Sequence, residues 1–291
     1  GGGTSTRAVI LNKQNEVLGR GFGGASSIDT VSAEITSSSI LKAVTEAYKM
    51  AQFDIKLKPY SIMAGLGGVV SLEDKQYLTN IIQKHFYSVD KIEVCNDMVI
   101  ALAGGCSCRP GIVMIMGTGS VAYGQNHLQN HKCGGWGWKE GDPGSAFDLG
   151  MNAIRMMIRA YDGRLEQTDF TKAVFQKLQL NNINDITTIL YQNDLKRTEI
   201  AQLAMIVTEF FEKDDIHAID ICLKSFKEVQ EQIRAVWNKI FRNKTEICLC
   251  GGLTQIGGKF GLQLRQMLVE FGNVHQQELP SEVGAAMKAW E

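Results

Sequence analysis

Short apolar runs alternate along this chain with longer stretches in which apolar residues recur every three or four positions. Runs of the first kind are typical of strands, and stretches of the second kind are typical of helices. Two extended runs, residues 7–12 and 17–22, flank a polar turn, which predicts a hairpin. The elements predicted next are a helix at 33–52, a strand at 61–65, a helix from 71 to about 85, a strand at 91–95 and a helix from 98 to 103.

The helix predicted to begin at Ser71 carries a start signal of its own. Ser71 and Asp74 have the spacing of a capping box, with aspartate in place of the usual glutamate. In such a box each side chain accepts a hydrogen bond from the other residue's backbone amide. We therefore expect this helix to begin at Ser71.

The strand–turn–strand pattern starts again after residue 110. The predicted elements are strands at 112–116 and 121–124, a polar hairpin tip at 125–130, a glycine-rich loop, an almost entirely helical stretch from 145 to about 237, a strand at 246–250, a helix at 258–271, a strand at 274–277 and a helix at 281–290. This repetition predicts an α/β fold with two domains, residues 1–107 and residues 108–291, the second with a helical part.

Composition narrows the classes of function. The chain has 291 residues, enough for two domains, and a formal net charge of −1, which argues against a nucleic-acid surface. It contains no run of about 18 apolar residues, so no membrane span is expected. Because the chain starts at Gly1 without a methionine, we expect a strand that leads into the first turn to be absent from this sequence.

Seven cysteines form no disulfide-like framework, which predicts a reduced, cytoplasmic protein. Cys106 and Cys108 lie in a connector and are candidates for a metal or cluster, although no third ligand is near in the sequence. His127 and His131 are four residues apart, but they flank a hairpin tip, where that spacing does not reliably bring two imidazoles together as it does on one face of a helix.

Two glycine–threonine turns are the most informative motifs. Each connects extended segments, and glycine lets backbone amides approach a ligand while threonine adds a hydroxyl. Two such turns at the heads of two similar units predict a polyphosphate site held from both sides. The residues assigned to it are Gly2, Gly3, Thr4, Ser5 and Thr6 in the first turn and Gly117, Thr118, Gly119 and Ser120 in the second.

A third glycine cluster follows the strand at 246–250. Gly251 and Gly252 lie between that strand and a predicted helix. Taken alone, the pair is typical of a packing turn between a strand and a helix. Together with the two earlier turns it favours a seat for the adenine or ribose of a nucleotide.

Asp97 follows a predicted strand directly, at the end where parallel sheets bind ligands. A hydroxyl that attacks a γ-phosphoryl group needs a carboxylate to orient it and accept its proton. Asp97 is therefore a candidate general base. The alternative is a helix N-cap, since a helical run follows.

Residues 133–145 combine five glycines, two tryptophans and an aspartate. Tryptophan offers a flat apolar face, and Asp142 can accept hydrogen bonds from hydroxyls, so the segment suits a sugar. The alternative is a tight turn made rigid by buried indoles.

These motifs, in this order, resemble the N-acetylglucosamine kinase branch of the BadF/BadG/BcrA/BcrD ATPase family, within the superfamily of actin-like ATPases and sugar kinases. The resemblance spans essentially the whole chain. The matching segments are Gly1–Thr4, Asn96–Asp97, Gly117–Ser120, Cys133–Gly137, Gly141–Ser145 and Cys250–Gly252.

The resemblance implies two ribonuclease-H-like domains that bind ATP and Mg²⁺, with a small-molecule amino sugar as the acceptor. It also implies a homodimer. Asp97 matches the catalytic aspartate, Thr4 and Thr118 match phosphate-contacting threonines, and Gly252 matches an adenosine motif. Positions that match sugar contacts are Ser27 (which, with Asp29 as the alternative, is nearest to a family asparagine), Asn96, Gly135, Trp136 and Asp142.

The leading hypothesis is therefore an ATP-dependent kinase of an amino sugar or N-acetylated amino sugar. One alternative is an ATPase that activates a 2-hydroxyacyl-CoA dehydratase-type partner, for which Cys106 and Cys108 are the only indication. A second alternative is a sugar sensor without catalysis, against which the presence of Asp97 argues.

Overall fold

The chain divides into two compact units in a computed structural model. The structure describes residues 1–86, 89, 91–191 and 195–290. One unit comprises Gly1–Arg109 together with Gln277–Glu291, and the other comprises Pro110–Gln276. The sequence placed a boundary at 107/108 and assigned all of 108–291 to the second domain, so the structure differs in where residues 277–291 belong.

A close helix contact explains why the C-terminal residues join the first unit. Helix α11, Ser281–Lys288, packs on helix α3, Asp97–Gly105. At the crossing, a Cβ atom on Gly284 would lie 2.0 Å from the backbone nitrogen of Gly104, so only two glycines allow this approach. The amide of Leu279 also donates to the carbonyl oxygen of Gly104 at 2.9 Å.

The predicted N-terminal hairpin is confirmed. Strands β1, Thr6–Leu11, and β2, Val17–Gly23, pair antiparallel. The turn between them is closed by the Asn12 side chain, whose Oδ1 accepts hydrogen bonds from the amides of Gln14 and Glu16. Local side-chain bonds of this kind are why asparagine favours turns.

The remaining elements of the first unit alternate between helix and strand. They are α1, Ala33–Met50; β3, Ser61–Leu66; α2, Leu72–His85; β4, Lys91–Asn96; and α3. The predicted capping box is confirmed, because the Asp74 amide donates to Ser71 Oγ at 3.0 Å and the Ser71 amide donates to Asp74 Oδ2 at 2.8 Å. Strands β3 and β4 are parallel, and α3 begins directly where β4 ends.

The start of the chain lies beside the end of β3. The Gly1 amine donates to the Gly65 carbonyl at 2.6 Å, and the Gly67 amide donates to the Gly1 carbonyl at 2.9 Å. This is the hydrogen-bond pattern of a parallel bridge opposite Leu66. An apolar cavity of about 310 Å³, lined by residues of β1 and β3, lies in the same unit.

The second unit is built on one five-stranded sheet in the order β7-β6-β5-β8-β9. Its strands are β5, Gly111–Met116; β6, Ser120–Gln125; β7, Asn130–Gly134; β8, Thr245–Cys250; and β9, Gly272–Gln276. The β8 and β9 strands run parallel to β5, whereas β6 and β7 form an antiparallel meander. The sequence assigned the residues after 130 to a glycine-rich loop, because the polar β7 shows no alternation; its pairing with β6 makes it a strand.

The predicted helical stretch from 145 to 237 is divided into successive helices. They are α4, Ala146–Tyr161; α5, Asp169–Lys177; α6, Asp185–Tyr191; α7, Arg197–Gln202; α8, Ala204–Glu212; and α9, Ile216–Ile240. Residues 192–194 of this stretch lie outside the described residues. A 3-10 helix, Gly252–Gln255, and α10, Gly258–Leu268, follow β8. Within the described part of the chain, every helix is too short or too polar to cross a membrane.

Candidate active site

The second glycine–threonine turn connects β5 to β6 and is held by the start of α4. The turn closes on itself, with the Gly117 amide donating to the Gly119 carbonyl at 2.9 Å. The first two backbone amides of α4 donate to carbonyl oxygens of the turn. The Ala146 amide donates to Gly117 at 2.9 Å, and the Phe147 amide donates to Thr118 at 3.4 Å. Thr118 itself is partly exposed, and a Cβ on Gly117 would meet open space.

The third glycine cluster lies against this turn. Gly251 has φ +101°, and a Cβ there would lie 2.4 Å from the Met116 carbonyl oxygen and 3.1 Å from the Gly117 amide nitrogen. Any side chain at Gly251 would therefore push β8 away from the turn. Gly252 faces open space, so the backbone beside it is accessible to a ligand. The predicted nucleotide glycines of this unit thus converge.

The indoles of the loop at residues 133–145, which the sequence predicted to bind a sugar, are not buried. Trp136 is 72% exposed and Trp138 is 48% exposed. The alternative interpretation of this segment, a turn made rigid by buried indoles, therefore does not hold. The Lys132 ammonium lies 3.8 Å from the centroid of the Trp136 ring and donates to the Gly135 carbonyl at 3.2 Å. Burial lowers the pKa of Lys132. Lys132 thus covers one face of the Trp136 indole, and the exposed remainder of the ring is available to stack on a ligand.

Asp142, predicted to accept hydrogen bonds from a sugar, is 2% exposed. Its Oδ1 accepts from the Gly137 amide at 3.2 Å, and its Oδ2 accepts from Arg197 Nη2 at 2.5 Å. A Cβ on Gly119 would lie 2.9 Å from Oδ2, so the carboxylate contacts the Gly117–Ser120 turn. Ser120 Oγ donates to the Pro143 carbonyl at 2.6 Å, which ties the same two segments together.

The structure therefore brings three predicted groups of the second unit into one site: the turn at 117–120, the glycines at 251–252 and the loop that carries Asp142. Arg197 belongs to this site and was missed by sequence reasoning. It is separated from Asp142 by a helical stretch, and an arginine at the start of a short helix carries no motif.

The first turn is held in the other unit by bonds to a neighbouring loop. The Ser26 amide donates to the Gly2 carbonyl at 2.9 Å, and the Gly2 amide donates to the Ser5 carbonyl at 3.0 Å. Thr6 is buried, with its hydroxyl 2.7 Å from the Gly24 carbonyl and 2.8 Å from Ser26 Oγ. Gly3, Thr4 and Ser5 are exposed, so the free hydroxyls of this turn are those of Thr4 and Ser5.

Asp97 is the first residue of α3, and the helix is capped by its neighbour. Asn96 Oδ1 accepts from the Met98 amide at 3.1 Å, and Asn96 Nδ2 donates to the Val69 carbonyl at 3.0 Å. The N-cap role that the sequence left open for Asp97 therefore belongs to Asn96. Burial raises the pKa of the Asp97 carboxyl above its ordinary value of 3.8, which suits a proton acceptor.

Ser27 lies close to Asp97, on the other side of a glycine. A Cβ on Gly67 would lie 2.5 Å from Ser27 Oγ and 3.7 Å from Asp97 Oδ2. Ser27 is 4% exposed and donates to the Asp29 carboxylate. Sequence reasoning weighed Asp29 as an alternative to Ser27 but did not assign Gly67 to the site, although the glycine pair after β3 was a signal for a close backbone approach.

Cys106 and Cys108, and His127 and His131, are the residue pairs that the sequence raised for a metal or cluster. Cys106 is fully buried, and Cys108 Sγ lies 3.9 Å from the Gly284 carbonyl oxygen. Over residues 1–86, 89, 91–191 and 195–290, neither cysteine belongs to a cluster of three or more metal-ligating side chains, and neither does His127 or His131.

Comparison with known proteins decides the family. The family model described as "BadF/BadG/BcrA/BcrD ATPase family" matches residues 1–289. The chain belongs to this family. The resemblance stated from the sequence is thereby confirmed, and ATP is the nucleotide substrate that membership implies.

Two curated relatives of this chain are named as sugar kinases. The N-acetylmuramic acid/N-acetylglucosamine kinase of Clostridium acetobutylicum is 32% identical over 238 residues, 81% of this chain and 77% of the relative. The N-acetyl-D-glucosamine kinase of Dictyostelium discoideum is 26% identical over 255 residues, 84% of this chain and 80% of the relative.

A solved structure supports the fold. A candidate N-acetylglucosamine kinase from Chromobacterium violaceum matches with a TM-score of 0.78 at 22% identity, covering 100% of this chain and 96% of that chain. The predicted α/β, actin-like ATPase fold is confirmed.

Proposed function

We propose that this protein transfers the γ-phosphoryl group of ATP to a hydroxyl of an amino sugar or N-acetylated amino sugar. The observation that carries the proposal is the convergence of the Gly117–Ser120 turn, the glycines at 251–252 and the Asp142 loop. A phosphate turn, a nucleotide glycine pair and a loop with an exposed indole form the parts that a sugar kinase needs. The names of the two curated relatives support the acceptor class.

Asp97 acts as the general base in this proposal. The sugar hydroxyl gives its proton to the Asp97 carboxylate as its oxygen forms a bond to the γ-phosphorus. The bond between the γ-phosphorus and the β,γ-bridging oxygen breaks, and its electron pair leaves with ADP. The raised pKa of Asp97 brings the carboxylate closer to the pKa range in which a base is effective near neutral pH.

The nucleotide is held by backbone amides and hydroxyls. We assign Gly2, Gly3, Thr4 and Ser5 of the first turn, and Gly117 to Ser120 of the second, to the phosphates, and Gly251 and Gly252 to the adenosine. Mg²⁺ prefers oxygen ligands, of which the exposed Thr4 hydroxyl offers one, and when bound it would neutralise phosphate charge. Thr6 supports the first turn through its buried hydroxyl.

The acceptor is held by Ser27, Asn96, Gly135, Trp136 and Asp142 in this proposal. Two finer statements belong to it as well: the homodimer that the family resemblance implies and the cytoplasmic location that the cysteine pattern predicts. Light scattering of the purified protein checks the first, and a mass twice that of the 32.1 kDa chain is expected.

A coupled ADP-release assay over a small sugar panel tests the function. The panel contains glucosamine, N-acetylglucosamine and N-acetylmuramic acid, with a sugar-free reaction and glucose as comparisons. ADP release that depends on an amino sugar, with a sugar phosphate detected by mass spectrometry, is the expected result. ADP release that no sugar stimulates contradicts the proposal and favours the alternative of an ATPase that activates a partner.

A further inference from the structure

Arg197 places a positive charge directly beside the Gly117–Ser120 turn, which is proposed to bind the phosphates. Its Nη2 lies 2.5 Å from Asp142 Oδ2, and a Cβ on Gly119 would lie 2.7 Å from the same nitrogen. The Arg197 side chain is 36% exposed, whereas that of Asp142 is 2% exposed. The guanidinium therefore rests on a buried carboxylate and touches the glycine of the turn on one side, while part of it remains accessible.

The guanidinium has unused hydrogen-bonding capacity. Arginine carries five N–H donors in a planar fork. In the part of the chain that the structure describes, Arg197 Nε is buried without a hydrogen-bond partner, and the bond from Nη2 to Asp142 is the one side-chain bond that the guanidinium makes. An unsatisfied buried donor is costly unless a ligand supplies the acceptor.

Arg197 is placed by packed helices rather than by a loose loop. It is the first residue of α7, and α7 lies so close to α4 that a Cβ on Gly150 would be 2.0 Å from the Ile200 carbonyl oxygen. The first amides of α4 hold the turn through the Gly117 carbonyl. Both the guanidinium and the turn are thus fixed to the same helix, which keeps their separation constant.

The chemistry of the guanidinium selects a phosphoryl group. Arginine binds phosphate oxygens with two parallel N–H bonds, and its charge is permanent. A glucosamine substrate carries an ammonium group, which a guanidinium repels, so a direct contact with the amino group is unfavourable. The negative groups that the Gly117–Ser120 turn itself is proposed to bind are the phosphates, and Arg197 lies directly beside Gly119 of that turn.

We propose that Arg197 is a further catalytic residue, which contacts the oxygens of the phosphoryl group in transfer and stabilises their negative charge. Asp142 positions the guanidinium beside Gly119. The proposal rests on the kinase function proposed above, because that function supplies the phosphoryl group. The competing interpretation is a purely structural ion pair that holds the loop of residues 137–142.

Steady-state kinetics of Arg197→Met and Arg197→Lys separate the two. We expect Arg197→Met to lower kcat by about 10²–10³-fold, the usual cost of removing a group that stabilises transition-state charge, while the KM for the sugar changes little. Arg197→Lys keeps the positive charge but not the planar fork of donors, so its kcat is expected to lie between those of wild type and Arg197→Met. If Arg197→Met does not fold, Arg197→Lys still tests the proposal. Added guanidinium ion restores part of the lost kcat of Arg197→Met. Arg155→Met, an exposed arginine on α4, is the matched control and keeps wild-type kcat.

A kcat of Arg197→Met within threefold of wild type overturns the proposal. So does a variant that shows only a raised sugar KM and a lowered melting temperature and is not rescued by guanidinium. Binding of ADP with aluminium fluoride, measured by calorimetry, gives a readout independent of the acceptor. If wild type binds this phosphoryl mimic and Arg197→Met binds it at least tenfold more weakly, the contact stands even where no sugar in the panel is phosphorylated. Equal binding by the two proteins overturns the contact.

Discussion

The backbone of Gly251 lies against the carbonyl oxygen of Met116, so closely that a Cβ on Gly251 would be 2.4 Å from it. This contact joins the end of β8 to the start of the Gly117–Ser120 turn. The glycine at 251 therefore has a packing role, and its neighbour Gly252, which faces open space, is the residue left to approach a ligand.

Substitution of the two glycines separates these roles. Gly251→Ala requires an alanine at φ +101° in contact with backbone, so we expect it to lower the free energy of unfolding by at least about 1–2 kcal/mol. Gly252→Ala is expected to leave stability near wild type and to weaken ATP binding. Chemical denaturation and calorimetric titration with ATP measure the two effects. Full ATP affinity in Gly252→Ala would argue against an adenosine seat at this position.

Asp97→Asn tests the general base. The amide has nearly the same shape but cannot accept the hydroxyl proton, so we expect kcat to fall by about 10²–10⁴-fold with ATP affinity nearly unchanged. Asn96 caps the helix, so the change leaves α3 intact. The control is Glu73→Gln, an acidic residue in the first turn of α2, which keeps full activity. Near-normal phosphoryl transfer by Asp97→Asn would show that the base lies elsewhere.

The pH dependence of kcat/KM reports the same carboxylate. Burial raises the pKa of Asp97 above 3.8, and a base must be ionised to act. Activity is therefore lost as the pH falls through this raised pKa, so the acidic limb of the profile lies above pH 3.8. We expect the limb to disappear from the residual activity of Asp97→Asn. A profile that is flat down to pH 3.8 would contradict the role of Asp97.

Trp136→Ala tests the sugar contact. The indole is 72% exposed, so its removal costs little packing and the melting temperature should stay close to that of wild type. Loss of a stacking face is expected to raise the sugar KM by about fivefold or more, since a ring contact is worth about 1 kcal/mol or more. Leu128→Ala, at a side chain 92% exposed on the nearby hairpin tip, serves as the control. Equal KM values for Trp136→Ala and wild type would remove Trp136 from the acceptor site.

Much of the fold was predictable because its signals are local. The hairpin before Gly24 and the helix that Ser71 begins depend on side-chain bonds between residues at most four positions apart. The two glycine–threonine turns were recognisable for the same reason, since glycine and threonine mark a tight bend between extended runs. The strand β7 was missed, because its polar residues become a strand only through bonds to β6.

The candidate site also contains residues that local sequence signals indicate and residues that only long-range contacts bring into it. Asp97 could be named from its place after a strand, but the helix-cap role that the sequence also allowed it belongs to Asn96, whose Oδ1 accepts the hydrogen bond from the Met98 amide. The predicted sugar residue Asp142 proved to be buried beside Gly119 and Arg197. No local pattern around Arg197 indicates that contact.

The amino-acid sequence alone determined most of the strands and helices, the glycine turns and the position of the carboxylate at the end of β4, because each depends on neighbouring residues. Tertiary structure alone decided that Gly251 meets the 117–120 turn, that residues 277–291 join the first unit and that Arg197 reaches Asp142. These contacts join residues far apart in the chain, and close packing of backbones at glycines, rather than any local propensity, sets their distances.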